Sequence, residues 1–113
     1  MNKKISAWIY CSVDAPEDTH GKMKEQFRQL CDYAEDMEFE MVGSSSDCGG
    51  LPLWGRDGFR KFLEAVRKRK VNVLLVINRN VLSHFSMELA QLQTLEKAAD
   101  VEVWSPLEGK IRF

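Results

Sequence analysis

The chain has 113 residues, 44% of them hydrophobic and 29% charged, which is enough for one globular core and too short for two. Its 16 basic residues against 17 acidic ones give a formal net charge of -1, excluding bulk attraction to nucleic acid and confining any such contact to a local patch. The three cysteines, Cys11, Cys31 and Cys48, form no Cys-x-x-Cys pair and lack a histidine tract, so neither a disulfide framework nor a zinc site is expected. The basic start Met1-Asn2-Lys3-Lys4 precedes an apolar run too brief for a signal peptide. No apolar stretch approaches the roughly 20 residues of a membrane span. These bounds predict a single domain over residues 1–113, cytoplasmic, away from membranes and without a cofactor or a resident metal.

Ile5 to Tyr10 reads as a first strand, broken by Ala15-Pro16-Glu17-Asp18. Met23, Phe27, Leu30, Ala34 and Met37 recur at helical spacing with charges on the other face. Phe39 to Val42 predicts a second strand, and Gly43 to Gly50, rich in serine and glycine, a mobile polar loop. A second helix is expected around Phe59, Phe62, Leu63 and Val66, with Arg67 to Lys70 complementing its dipole. Val71 to Ile77 is nearly all apolar, as a strand buried on both faces requires. Phe85, Leu89, Leu92 and Leu95 mark a third helix with Ser86 as its N-cap. Val101 to Trp104 and Ile111 to Phe113, joined by a turn at Leu107 to Lys110, close the chain as a hairpin. Alternating strands and helices give an α/β domain with a mixed sheet.

The carboxyl edge of such a sheet is where ligands bind, and the segments that reach it carry a recognisable order. Tyr10-Cys11-Ser12-Val13-Asp14, Asp47 with Gly49, Arg56-Asp57-Gly58-Phe59, Val73-Leu74-Leu75-Val76 and Val81-Leu82-Ser83-His84 follow one another. In that order they resemble the catalytic domain of resolvase/invertase serine recombinases. The resemblance covers nearly the whole chain and implies a three-layer domain with strand order 2-1-3-4-5 and an antiparallel last strand.

The family's pattern in the first strand is Tyr-x-Arg-Val-Ser, so Ser12 stands for an arginine and Asp14 for the nucleophilic serine. Asp47 opens the Asp-x-Gly-type loop, and Arg56 matches a retained active-site arginine. Val81 and His84 fall on the two arginines of the Arg-Leu-Ser-Arg signature. Phosphoryl transfer needs a nucleophile inside a cationic cage. Asp14 would repel a phosphate, Val81 cannot replace a guanidinium, and the imidazole of His84 lacks the fixed charge and paired donors of an arginine. Arg56 and Arg79 remain as candidate anion ligands.

The resemblance therefore implies a divergent serine-recombinase homologue of mobile-element background, inactive and acting as an interaction or regulatory module. The alternative is an active strand-exchange enzyme using altered residues, with Ser12, two positions before Asp14 on the same strand face, as a shifted nucleophile. A third reading is a receiver-like acidic switch with Asp14 near a metal or a phosphate; for Asp14 with Glu17 and Asp18 as a divalent-cation cluster, the ordinary solvated acidic loop is the stronger expectation. The partners expected are a second copy of the chain or a recombinase-family protein, with DNA binding weak or absent for the chain alone. Trp54 is expected to pack inward rather than serve recognition, Phe85 and Met87 to join a helix core, and Cys48 to be the exposed cysteine.

Overall fold

The computed structural model describes residues 5–14 and 21–113. In chain order the elements are β1 (Ser6–Val13), α1 (Lys22–Asp36), β2 (Glu40–Cys48), a short 3-10 turn (Leu53–Gly55), α2 (Asp57–Arg67), β3 (Val73–Leu75), a second 3-10 turn (Arg79–Val81), α3 (Ser86–Ala99), β4 (Glu102–Ser105) and β5 (Gly109–Ile111). The sheet order is β2-β1-β3-β4-β5, with β4 and β5 antiparallel and the other pairs parallel. This is the mixed α/β architecture expected, and the chain reverses its direction of winding between β1 and β3.

Strand alternation divides the core into two layers. Ala7, Ile9 and Cys11 of β1 and Val73 and Leu75 of β3 pack with Leu30 and Ala34 of α1. Tyr10 and Leu74 face the other way, toward Phe59 and Phe62 of α2 and Leu92 of α3. Phe59 is the hub of that second layer. Its ring lies 5.7 Å from Tyr10, 5.4 Å from Trp54 and 5.5 Å from Phe62, all in edge or tilted arrangements. Trp54 thus packs inward as expected, and its indole N–H donates to Gln91.

Three expectations are corrected. Residues 43–48, expected in a mobile loop, continue β2, with Gly43 to Cys48 paired against Trp8 to Val13 of β1. Small residues are required here because the Trp8 ring lies over Gly43, where a Cβ would sit 2.3 Å from it, and the Trp8 indole donates to the Ser45 hydroxyl at 2.9 Å. Second, Ser86 is the first residue of α3 rather than its cap. Phe85 is the capping position without a side-chain bond, and the Ser83 hydroxyl accepts from the Phe85 N–H at 3.0 Å. Third, Phe85 and Met87, at the start of α3, are exposed, and the burial of that helix rests on Leu92 with Leu89 and Leu95 packed beside it.

The central strand is also shorter than its apolar run, although Val71, Val73, Leu74, Leu75 and Val76 are all buried. The hairpin turn falls at residues 106–108, and Gly109, at φ 69 in the left-handed backbone that favours glycine, opens the last strand, which spans Gly109–Ile111 where Ile111 to Phe113 was expected. The loop of Ala15 to Asp18 lies outside the described residues.

Truncating the hub should be severe. Phe59→Ala is expected to destabilise the fold by about 3–5 kcal/mol, whereas Leu107→Ala, in the exposed hairpin turn, should stay within about 0.5 kcal/mol. Urea unfolding of the two variants beside the parent measures both.

Candidate functional site

β1 outruns β3 at the carboxyl edge. β3 pairs only with Ala7 to Ile9, so Tyr10 to Asp14 extend past it with β2 on one side and the segment after β3 on the other. Tyr10 and Ser12 fall on the α2 side of the sheet by alternation, and Ser12 is in register with Asp47 of β2.

Asp47 organises this edge. Its carboxylate accepts from the Gly58 N–H at 2.8 Å and the Phe59 N–H at 3.0 Å, supplying the cap that α2 lacks from its own N-cap residue, Arg56. The same carboxylate accepts from the Tyr10 hydroxyl at 2.7 Å. That approach leaves no room at Gly58, where a Cβ would meet the Ser46 carbonyl oxygen at 2.4 Å and the Asp47 carboxylate at 2.6 Å. The glycine of the Arg-x-Gly-Phe segment is thus a packing requirement.

Arg56 is turned inward and only 7% exposed. Its Nε donates to the Leu51 carbonyl at 2.8 Å, and Nη1 donates to the Val81 carbonyl at 2.6 Å and reaches the Tyr10 hydroxyl at 3.4 Å. Tyr10 therefore stands between a guanidinium and a carboxylate. Burial, and then its bond to Asp47, push its pKa well above the usual tyrosine value, so it remains a neutral donor.

The other expected site residues divide. Ser12 is 6% exposed, and Gln26 of α1 clasps its backbone at two points: the Ser12 N–H donates to Gln26 Oε1 at 3.1 Å, and Gln26 Nε2 donates to the Ser12 carbonyl at 2.9 Å. Val81 packs on the core and contributes its carbonyl to Arg56. Asp14 and His84 are exposed. Arg79 turns to the β4–β5 hairpin, where Glu108 holds both its Nε, at 3.2 Å, and its own backbone N–H, at 3.3 Å. Tyr10, Asp47, Arg56 and Val81 thus form one bonded group, while Arg79 belongs to another. Glu17 and Asp18, the remaining members of the acidic cluster with Asp14, lie outside the described residues, among which no group of three or more metal-ligating side chains is placed to hold an ion.

Sequence reasoning missed Glu88. It accepts from the Ser83 hydroxyl at 2.6 Å and from the Leu53 N–H at 2.8 Å, stitching the loop before α2 to the start of α3. An acidic residue in a first helical turn was its only signal.

Comparison with solved structures is decisive at the level of fold. The chain superposes on the C-terminal catalytic domain of ISC1926 TnpA, an IS607-like serine recombinase, with a TM-score of 0.79 and 25% identity over 89% of this chain and 69% of that one. The chain has the fold of serine recombinase catalytic domains. It is similar also to the N-terminal catalytic domain of TP901-1 integrase, with TM-score 0.77 and 19% identity over 92% of this chain and 78% of that one. A resolvase family site-specific recombinase from Streptococcus pneumoniae gives TM-score 0.78 and 18% identity over 94% and 74%. No protein-family model and no curated protein sequence matches the chain.

Two outcomes are expected of this recombinase-like edge. Gly58→Ala should destabilise it by about 2 kcal/mol or more, because the Ser46 carbonyl it would strike is backbone and cannot swing aside; thermal unfolding measures this. The raised pKa of Tyr10 gives stability that is present below the unfolded value of about 10 and is lost as pH rises above it, since only the unfolded chain then releases the proton readily. Cys11, pushed up to about 11 by burial, acts with the same sign. Tyr10→Phe should therefore show a shallower loss of stability between about pH 10 and 12 than the parent; parallel denaturant melts across that window check it.

Proposed function

We propose that this chain is a recombinase-fold interaction or regulatory module that does not perform strand exchange. The observation that carries the reading is Arg56. It is the one matched phosphate-binding arginine the sequence retains, and its Nε and Nη1 are directed to Leu51, Val81 and Tyr10 inside the protein. Asp14 at the nucleophile position adds negative charge where a phosphodiester would approach, and Ser12, Val81 and His84 stand at the positions of the other arginines. An arrangement of this kind lacks the preorganised cationic field that phosphoryl transfer demands.

The partners this reading favours are a second copy of the chain or a recombinase-family protein, in the cytoplasm, with little affinity for DNA by the chain alone. None of the described helices is long and apolar enough to cross a membrane. The reading of residues 1–113 as one domain belongs to the same proposal.

The rival is an enzyme with Ser12 as a shifted nucleophile. Against it stand the 6% exposure of Ser12 and the Gln26 clasp on its backbone. Purified protein incubated with supercoiled DNA carrying recombination sites is expected to give neither cleavage nor a covalent protein-DNA adduct. Restoring serine with Asp14→Ser should also give none, because the phosphate cage stays incomplete. A denaturation-resistant adduct formed by the unmodified chain and lost in Ser12→Ala would overturn the proposal and establish the rival.

A further inference from the structure

Arg79 presents two donors in one direction, its guanidinium Nε and its backbone N–H, and a single carboxylate, that of Glu108, takes both at 3.2 and 3.3 Å. Such a fork matches the spacing of two oxygens on a carboxylate or a phosphate. Asn78 fixes the backbone beneath it by accepting from the Asn80 N–H at 2.9 Å. The occupying carboxylate comes from the β4–β5 turn, whose Glu108 N–H donates to the hydroxyl of the fully buried Ser105 at 2.9 Å. Both partners lie at the carboxyl edge, Arg79 after β3 and Glu108 after β4.

We propose that Arg79 forms an anion-binding fork for phosphate-bearing ligands, and that Glu108 is an internal carboxylate that occupies it in the unliganded protein. The side chains of Arg79 and Glu108 remain 43% and 30% exposed. An ion pair so open to water holds its geometry weakly, and a phosphate group, which offers the same pair of charged oxygens, competes for the same donors. Displacement of the hairpin turn then accompanies binding. The contact is thus autoinhibitory: it sets a threshold of anion charge or concentration below which the fork stays closed. This inference goes beyond the proposed function, because a phosphate fork needs no nucleophile, and its failure would leave the absence of strand exchange untouched.

The test uses the full chain and pyrophosphate as the probe, titrated while the Arg79 Nε–H and backbone N–H resonances are followed by NMR. The parent is expected to bind weakly, and Glu108→Gln about fivefold more tightly, the scale set by release of an exposed ion pair. Leu107→Gln, in the same turn and 79% exposed, should leave affinity unchanged, which separates loss of the carboxylate from disturbance of the hairpin. Arg79→Gln combined with Glu108→Gln should remove the gain. The inference is overturned if Glu108→Gln binds no more tightly than the parent, if the gain survives loss of Arg79, or if Leu107→Gln produces the same gain. Repeating the titration with a short single-stranded oligonucleotide distinguishes the source: tightening with both probes supports a fork for nucleic-acid phosphodiesters, and tightening with pyrophosphate alone supports a fork for free phosphate anions.

Discussion

A carboxylate set against the amino end of α2 is the interaction on which this molecule depends. Asp47 joins β2 to α2 through two backbone amides and β1 to both through the Tyr10 hydroxyl. Arg56 extends the connection to the loop before α2 and to the turn after β3. Five segments, reaching from Tyr10 to Val81, thus meet in one hydrogen-bonded group on the edge of an apolar layer. Burying a guanidinium is expensive unless its donors are met and an opposite charge is near. Here two carbonyls and a tyrosine accept from Nε and Nη1, and the carboxylate lies just beyond that tyrosine. A network satisfied in this way fixes one arrangement, since any shift of α2 breaks several bonds together.

The same network explains which parts of the fold were legible in the sequence. Helical periodicity located α1, α2 and α3 because each buries an apolar stripe that repeats locally, as Phe59, Phe62 and Ala65 show in α2. The second half of β2 was misread because Ser44, Ser45, Ser46 and Asp47 have the composition of a turn. Their strand conformation is set by partners far away in sequence: the ladder with β1, the indole of Trp8, and the first turn of α2, whose Gly58 carbonyl accepts from the Ser45 hydroxyl at 2.6 Å. Local propensity gives way to tertiary pairing in such cases. The position of the α3 cap failed for a related reason, because only the fold shows that Ser83, three residues before Ser86, bonds to Phe85 and Glu88.

At the site, residue matching names positions and leaves their surroundings open. That Arg56 is present could be read from the chain. That its guanidinium turns toward Leu51 and Val81 depends on where a loop and a turn close over it. The pairing of Arg79 with Glu108 spans 29 positions and crosses two elements, so no local pattern announces it. Charged side chains reveal their chemistry only with their partners, since the same guanidinium is a phosphate ligand in one setting and a structural strut in another.

On the proposed reading, the residues that hold this fold are separable from those that would perform its chemistry. Tyr10, Asp47, Arg56 and Gly58 are bound into the scaffold by bonds and close contacts. Asp14 and His84, at the positions of a nucleophile and an arginine, are exposed, and Val81 packs its side chain against the core. Gathering several arginines around an empty phosphate site is electrostatically unfavourable to the folded state, so their replacement relieves repulsion while leaving the network around Asp47 intact. Selection for the fold alone would then keep the first group and release the second. That is why a chain can superpose on recombinase catalytic domains over nearly its whole length while carrying so little of their matched chemistry, and why function here must be argued from the site and not from the fold.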